Sequence, residues 1–165
     1  MPLSLDQIRD LRRDGRHEEA REHLANLAGL SPKDPQILFE AASVHDYLDL
    51  EIQALAYYLA AIEAGLSGPL LREAYLGLGS TYRILGRTDE SLRTFEQAMR
   101  HFPEAREFQV FCAMTDYNLG RHHEAVSKLL RVIADTSADP AIRSYERAIR
   151  LYAADLNRFS SNAGD

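Results

Sequence analysis

Six histidines are the first residues in this sequence whose chemistry suggests a site, because imidazole is a common metal ligand. His17 and His23 are six positions apart, which places them on different faces of a helix, and His122 and His123 are adjacent. Joint ligation from one helix requires a shared face, as in HExxH, and the sequence contains neither that motif nor CxxC. The spacing predicts no metal site, and we expect no cofactor.

A second set with catalytic residue types recurs at intervals of 37, 34 and 34 residues: His45, Tyr82, Asp116 and Arg150. A His–Tyr–Asp relay is one interpretation, but no nucleophile accompanies the set. Asp and Arg are tolerated in a protein interior chiefly as partners. We therefore expect an interior polar column that fixes the register of the last repeats, in a protein that is not an enzyme.

The charge of the chain limits its partners. A net charge of −6 and a pI near 5.5 argue against a phosphate-binding surface, which requires clustered Lys and Arg. Residues 35–71 contain five acids and no Lys or Arg, so this segment supplies most of the net charge. Nucleic acid is not an expected partner.

The compartment is predicted from three features. The first ten residues lack the regions of a signal peptide, and the longest apolar run, residues 54–62, is too short to span a bilayer. The single cysteine, Cys112, excludes an internal disulfide and is predicted to be a core residue. We expect a cytoplasmic protein with no membrane partner.

The elements that must position these side chains are repeated. Gly-Arg occurs at Gly15, Gly86 and Gly120, and aligning these signals divides the chain into segments 1–34, 35–71, 72–105 and 106–139. The three extra residues of the second segment are expected in a longer loop around Gly65, Gly68 and Pro69.

Each segment divides into two helical halves. In the third, Tyr75, Leu78 and Tyr82 belong to one apolar stripe of helical period. Gly86 then ends the helix, since glycine adopts the positive φ of a helix C-terminus without strain. No comparable window alternates like a strand, so the pattern predicts an all-α chain of helix hairpins.

The third segment resembles a tetratricopeptide repeat (TPR). It carries Tyr75 for the usual Trp, then Leu78-Gly79, Tyr82, Gly86, Ser91 for the usual Ala, Phe95, Ala98 and Pro103. The second segment has Asp49 where glycine is expected. The resemblance covers residues 1–139 and implies a right-handed α-solenoid of four hairpins. The implied structural residues are Gly15, Tyr75, Gly79, Tyr82, Gly86, Phe95, Ala98, Gly120 and Ala125.

A stack of hairpins requires a cap, because no repeat buries its own apolar face. Residues 140–159 carry a stripe of helical spacing, which predicts one continuous capping helix with Pro140 in its first turn. The stripe consists of Ile142, Tyr145, Ile149, Tyr152, Leu156 and Phe159. We expect a single domain over residues 1–159 and a flexible tail at 160–165.

The resemblance also implies a ligand groove on the concave face, formed by the first helix of each repeat. The candidate binding residues are Arg9, Arg13, Phe39, Ser43, Tyr47, Leu76, Ser80, Arg83, Val110, Met114, Tyr117 and Asn118. The Lys and Asn that hold a terminal carboxylate in chaperone-binding TPRs are missing from these positions. The mixture of apolar and hydroxyl groups favours an apolar or amphipathic peptide, with arginines for its acids.

Two functions remain open at this point. The first is a protein-interaction module that binds a peptide or partner helix in the groove. The alternative is a homo-oligomeric scaffold, such as a homodimer, that uses the groove or the capping helix as its self-interface.

Overall fold

The computed structural model describes residues 3–157, which form ten α-helices and, within that range, no strand. The helices are α1 (Leu5–Arg13), α2 (His17–Leu30), α3 (Pro35–Tyr47), α4 (Glu51–Glu63), α5 (Gly68–Ile84), α6 (Thr88–His101), α7 (Glu107–Asn118), α8 (His122–Thr136), α9 (Pro140–Ser144) and α10 (Glu146–Ala154). The all-α prediction is confirmed. The chain divides into two compact units between Phe102 and Pro103. The prediction of one domain over residues 1–159 stays a prediction.

Two helices of the first unit, α1 and α3, begin at side chains that satisfy free backbone N–H groups. Ser4 and Gln7 form a capping box at α1, in which the Gln7 N–H donates to the Ser4 hydroxyl at 3.3 Å. Asp34 accepts from the N–H of Gln36 at the start of α3, where Pro35 occupies the first turn. These caps favour the observed start of both helices.

The turn inside each of the first four hairpins uses a residue of positive φ. Gly15, Gly86 and Gly120 have φ of 78°, 74° and 74°, as the Gly-Arg pattern predicts. In the second hairpin Asp49 takes this place with φ 55°, and it is the one non-glycine of positive φ among residues 3–157. Aspartate tolerates the left-handed region better than most residues, so the turn survives the substitution.

The first unit contains three antiparallel hairpins, α1/α2, α3/α4 and α5/α6, each packed on the next. The first helices also touch one another directly, α1 against α3 and α3 against α5. The second helices of successive hairpins, such as α2 and α4, contact each other less than the first helices of successive hairpins do. The first helices therefore form the inner layer of this unit, as the TPR resemblance implies.

The third hairpin begins earlier than the sequence predicts. Its first helix, α5, starts at Gly68 and has 17 residues. The three extra residues thus lengthen the helix and are not loop, which corrects the sequence prediction. Pro69 fits the first turn because its missing N–H would have no helical partner there. Gly65 and Gly68, with φ of 91° and 61°, supply the bend that precedes the helix.

Two glycines inside α5 make space for aromatic rings on either side. A Cβ on Gly77 would lie 2.3 Å from the ring of Tyr58 in α4. A Cβ on Gly79 would lie 2.5 Å from the ring of Phe95 in α6. The Gly79 carbonyl also accepts the Ser91 hydroxyl at 2.8 Å, so Ser91 adds a hydrogen bond where the repeat usually has alanine. One helix thereby receives the largest side chains of both neighbours.

The second unit consists of the hairpin α7/α8 followed by α9 and α10, with α10 packed on α8. Ala153 is buried in this contact, and its carbonyl accepts the Ser127 hydroxyl at 2.5 Å. Phe108 and Cys112 of α7 are buried, as predicted for Cys112.

The prediction of one continuous capping helix is wrong. α9 and α10 are separated at Tyr145, whose φ of −105° and ψ of 10° are not helical. Its N–H bonds the Ile142 carbonyl three residues back at 3.0 Å, which tightens the turn and redirects the chain. The predicted stripe is mostly on the surface, since Ile142, Tyr145 and Tyr152 are exposed. Phe159 and the predicted tail at 160–165 lie outside the described residues.

Within the described part of the chain, none of the helices has the length and apolar character that a membrane crossing requires.

Substitutions at two glycines should separate close packing from backbone strain. Gly86→Ala meets open space but must adopt φ near 74°, so we expect a loss of about 1 kcal/mol in the free energy of unfolding. Gly79→Ala has no such strain but overlaps Phe95, and it should cost about 1–3 kcal/mol. Urea unfolding measures both values. Adding Phe95→Leu should recover stability in Gly79→Ala and not in Gly86→Ala; equal responses would contradict the assignment.

Candidate functional site

The inner faces of α3 and α5 carry the most accessible apolar side chains among the predicted binding residues of the first unit. Tyr47 of α3 is 66% exposed, and Leu76 of α5 is partly buried. Ile84, at the end of α5, is 57% exposed, although it is not one of the candidate binding residues predicted from the sequence. Ser43 and Ser80 are partly buried on the same two helices.

Phe39 does not belong to this face, which corrects the sequence prediction. Only 2% of its surface is exposed, and its ring packs in the core 6.4 Å from that of Tyr58. The periodic pattern places Phe39 correctly on the inner side of α3, but neighbouring helices cover it at the position where the layers meet. A large aromatic at a helix start is consequently core here and not ligand surface.

Two arginines of α1 are already occupied by an acid of α3. Glu40 is 3% exposed, and its carboxylate accepts from Arg9 Nε at 2.7 Å and pairs with Arg12 Nη1 at 3.0 Å. The hydrogen bond to Glu40 raises the pKa of Arg9. The sequence suggested that Arg9 would bind a ligand's acids, but its pairing with Glu40 makes it unavailable. The charges join the first two hairpins.

The remaining predicted arginines of the first unit, Arg13 and Arg83, differ in exposure. Arg13 is exposed and pairs with Asp10 of its own helix, an i,i+3 contact of small energy at a surface. Arg83 of α5 is partly buried.

A polar cluster that sequence reasoning missed lies where α3, α4 and α5 meet. The Tyr58 hydroxyl donates to Asp46 Oδ2 at 3.1 Å. The Thr81 hydroxyl of α5 donates to the Gly77 carbonyl at 2.8 Å. Asp46 is thus oriented by one neutral donor, and the space left by Gly77 brings Tyr58 within reach.

Two residues of this cluster, Asp46 and Tyr58, have raised pKa values. Burial raises the pKa of Asp46, and the nearby carboxylates of Glu51 and Asp49 raise it further, against the hydrogen bond from Tyr58. Burial also raises the pKa of Tyr58. A sequence signal for this site exists: it is the acidic segment 35–71, which contains no Lys or Arg.

The exposed ring of Tyr47 is held in place by a histidine of the preceding hairpin. The rings of Tyr47 and His17 are stacked with centroids 3.5 Å apart and planes inclined by 23°. Stacking of this kind fixes an aromatic side chain while leaving much of it accessible.

The second unit presents its own inner-face residues on α7. Met114, Tyr117 and Asn118 are exposed, and Val110 is partly buried. The Tyr117 ring lies 4.8 Å from that of His122 at the start of α8. A tyrosine beside a histidine of the hairpin turn therefore occurs in each unit.

The predicted polar column is not formed as expected, because each member has contacts of its own. His45 Nδ1 lies 2.7 Å from the Ala41 carbonyl, and the Arg87 guanidinium stacks on the Tyr82 ring at 4.7 Å. Asp116 is buried and pairs with Lys128 and Arg121 of its own hairpin.

Arg150 is the member that departs furthest from the prediction. It is exposed, and it pairs with Asp135 at 2.7 Å and with Glu146 at 2.9 Å. Asp116 instead pairs with Lys128, which lies about two helix turns into α8.

The residues predicted to be structural have positions that match packing roles. Tyr75, Tyr82, Phe95, Ala98 and Ala125 are buried. No group of three metal-ligating side chains occurs among residues 3–157. An open cavity of about 560 Å³ between α4, α5 and α6 is lined in part by Tyr75, Tyr82 and Glu90.

Comparisons with known proteins give a family and a fold. A family model described as "Tetratrico peptide repeat" matches residues 35–156. No curated protein is significantly similar to the chain in sequence. Among solved structures, that of YrrB, described as "a TPR protein with an unusual peptide-binding site", matches with a TM-score of 0.70 and 18% identity. The match covers 93% of this chain and 77% of YrrB, and at this identity it shows the fold alone.

The Glu40 ion pairs should be asymmetric in their energetics. Removing both cations in Arg9→Ala/Arg12→Ala leaves a buried carboxylate without a partner and should cost about 3–5 kcal/mol. Glu40→Gln keeps an acceptor and leaves two partly exposed arginines that water can solvate, so we expect about 1 kcal/mol. Urea unfolding of the three proteins measures the difference. Equal costs would show that Glu40 is not held by these arginines.

Asp116 should be a stabilising residue with no part in recognition. Asp116→Ala removes a buried carboxylate and frees Lys128, which is partly exposed, so we expect a loss of about 1–3 kcal/mol. Thermal denaturation measures the loss, and an unchanged melting temperature would contradict it. Ligand affinity of the folded variant should equal that of the wild type.

Proposed function

Because the chain belongs to the tetratricopeptide repeat family, we propose that it is a non-enzymatic interaction module that binds a peptide or partner helix on the inner faces of its hairpins. Proteins of this family are typically scaffolds for protein and peptide partners, and their repeats carry recognition without chemistry. YrrB, which has the same fold, is described as having a peptide-binding site. We propose the same general role for this chain, in a single cytoplasmic domain over residues 1–159.

The observation that carries the proposal is the exposure of large apolar side chains on first helices. Tyr47 and Ile84 lie on first helices of the first unit, Met114 and Tyr117 lie on the first helix of the second, and all four are exposed. Exposed apolar groups are typical of interaction surfaces, and tyrosine is enriched among residues that dominate binding energy.

A second candidate function has its own observation. On α8 the side chains of Val126, Leu129 and Ile133 share one face and are exposed, as are Tyr145 and Tyr152 beyond it. In the first two hairpins the equivalent face of the second helix is covered by the next hairpin. This uncovered end is consistent with the alternative of a homo-oligomeric scaffold.

A selection experiment tests the leading proposal. A random peptide library displayed on phage is selected on the immobilised full chain, and the enriched peptides are measured by fluorescence anisotropy. Tyr47→Ala should weaken their binding about tenfold or more, because tyrosine anchors of this kind contribute most of the binding energy. Ile52→Ala is the matched control, since Ile52 is 73% exposed but lies on the outer helix α4, and its binding should be unchanged.

Other results would redirect the proposal. Absence of any enriched peptide, or equal affinity for Tyr47→Ala and the wild type, contradicts recognition on this face. Light scattering over a range of concentrations reports the oligomeric state in parallel. A stable dimer that Ile133→Glu converts to monomer would establish the scaffold alternative.

A further inference from the structure

We propose that the ligand of the first unit carries a cationic side chain, Arg or Lys, beside an apolar one, and that Asp46 receives the cation. This inference rests on the proposed function and specifies the chemistry of its partner. The apolar neighbour would contact Tyr47, which follows Asp46 in α3, and Ile84 at the end of α5.

Asp46 differs from the other shielded acids of the chain. Glu40 is paired with two arginines, Asp116 with Lys128 and Arg121, and Asp135 with Arg106 and Arg150. Asp46 is partly buried as well, yet no ion pair joins it to any Lys or Arg of residues 3–157. Shielded charges are ordinarily paired, so the missing cation is the feature that requires explanation.

The carboxylate of Asp46 is oriented and remains in contact with solvent. Tyr58 donates a neutral hydrogen bond to it at 3.1 Å, which orients it without neutralising it. Its side chain is neither fully buried nor free to rotate away, so a ligand finds it preorganised. A cation that reaches it forms a charge-assisted hydrogen bond, which is stronger than a neutral one.

The surroundings favour a positive ligand and disfavour a negative one. Asp49 and Glu51 act on Asp46 with the same sign, and Arg12 of the first hairpin is bound to Glu40. Charge complementarity of this kind selects partners and speeds their association. The sequence alone predicts arginines that bind a ligand's acids, whereas these contacts indicate the opposite charge on the ligand.

The apolar part of the proposed subsite is adjacent. Tyr47 follows Asp46 directly in α3, and its ring is held by His17, so little side-chain entropy is lost when a ligand contacts it. An aromatic face beside a carboxylate also attracts a guanidinium or ammonium group. Ile84 provides an exposed aliphatic surface three residues after Thr81.

A variant that separates a binding role from a structural one is Asp46→Asn. Asparagine has the same shape and can accept from Tyr58, while the charge is removed. Because burial raises the pKa of Asp46, the folded state favours its protonated form, and the stability it contributes is lost as the pH rises through that pKa. Asp49, Glu51 and Tyr58 are the titratable groups that act on it. At neutral pH Asp46→Asn should therefore melt at the same temperature as the wild type or higher. If the charged carboxylate stabilised the fold, the variant would melt at a lower temperature.

The test uses the random peptide library as its probe. We expect Arg or Lys next to an aromatic or aliphatic residue in the enriched sequences. Synthetic versions of one such peptide, with the cation replaced by Gln or by Glu, are then measured on the wild type and on Asp46→Asn. The Gln version should bind the wild type about tenfold more weakly, and Asp46→Asn should abolish that difference. Glu63→Gln, an exposed acid of the same segment on α4, is the control and should preserve it.

The outcomes distinguish this inference from the function beneath it. Enriched peptides that require Tyr47 but bind equally with Arg, Gln or Glu would overturn the charge assignment and leave the interaction module intact. Acidic sequences among the enriched peptides, or a full charge preference retained by Asp46→Asn, would also overturn it. A library that yields no peptide at all overturns the proposed function together with the inference.

Discussion

The packing of Tyr58 against Gly77 is the constraint on which both the first unit and its candidate site depend. The ring of Tyr58 occupies the space where a side chain of α5 would otherwise stand, and this allows the second and third hairpins to approach. The same ring ends in a hydroxyl that donates to Asp46. One residue thus joins two hairpins at its apolar end and orients a carboxylate at its polar end, so the stacking of repeats builds the polar cluster.

The sequence could predict the hairpins because their signals are local. The helical stripes and the turns at Gly15, Gly86 and Gly120 are encoded by residues that are close together in the chain. The repeat period also places a turn at Asp49, which has the positive φ that this position requires. The capping helix was predicted poorly for the opposite reason. Apolar residues at helical spacing predict a helix but do not show what will cover it. The break at Tyr145 depends on how the chain returns to pack on α8, which is a tertiary feature.

The candidate site was predictable only in part, because pairing is a tertiary property. Tyr47 and Tyr117 are exposed on first helices as the repeat pattern indicates, whereas Phe39, on the same predicted stripe as Tyr47, is core. Arg9 was assigned to a ligand because nothing in the sequence shows that Glu40, far along the chain, turns toward it. Asp46 was passed over as a binding residue, since its distinction is the absence of a partner and a sequence does not display absences of contact.

The ion pairs of Glu40 also bear on how the first unit opens. In stacked repeats, terminal units separate most easily, because they have one neighbour instead of two. When the first hairpin separates, Glu40 of α3 loses the guanidinium groups of both Arg9 and Arg12. The ion pairs between α1 and α3 therefore break together, in one event. Amide hydrogens of α1 and α2 would then exchange together with those at the start of α3, and dissolved salt, by competing for the same charges, would set the frequency of the opening.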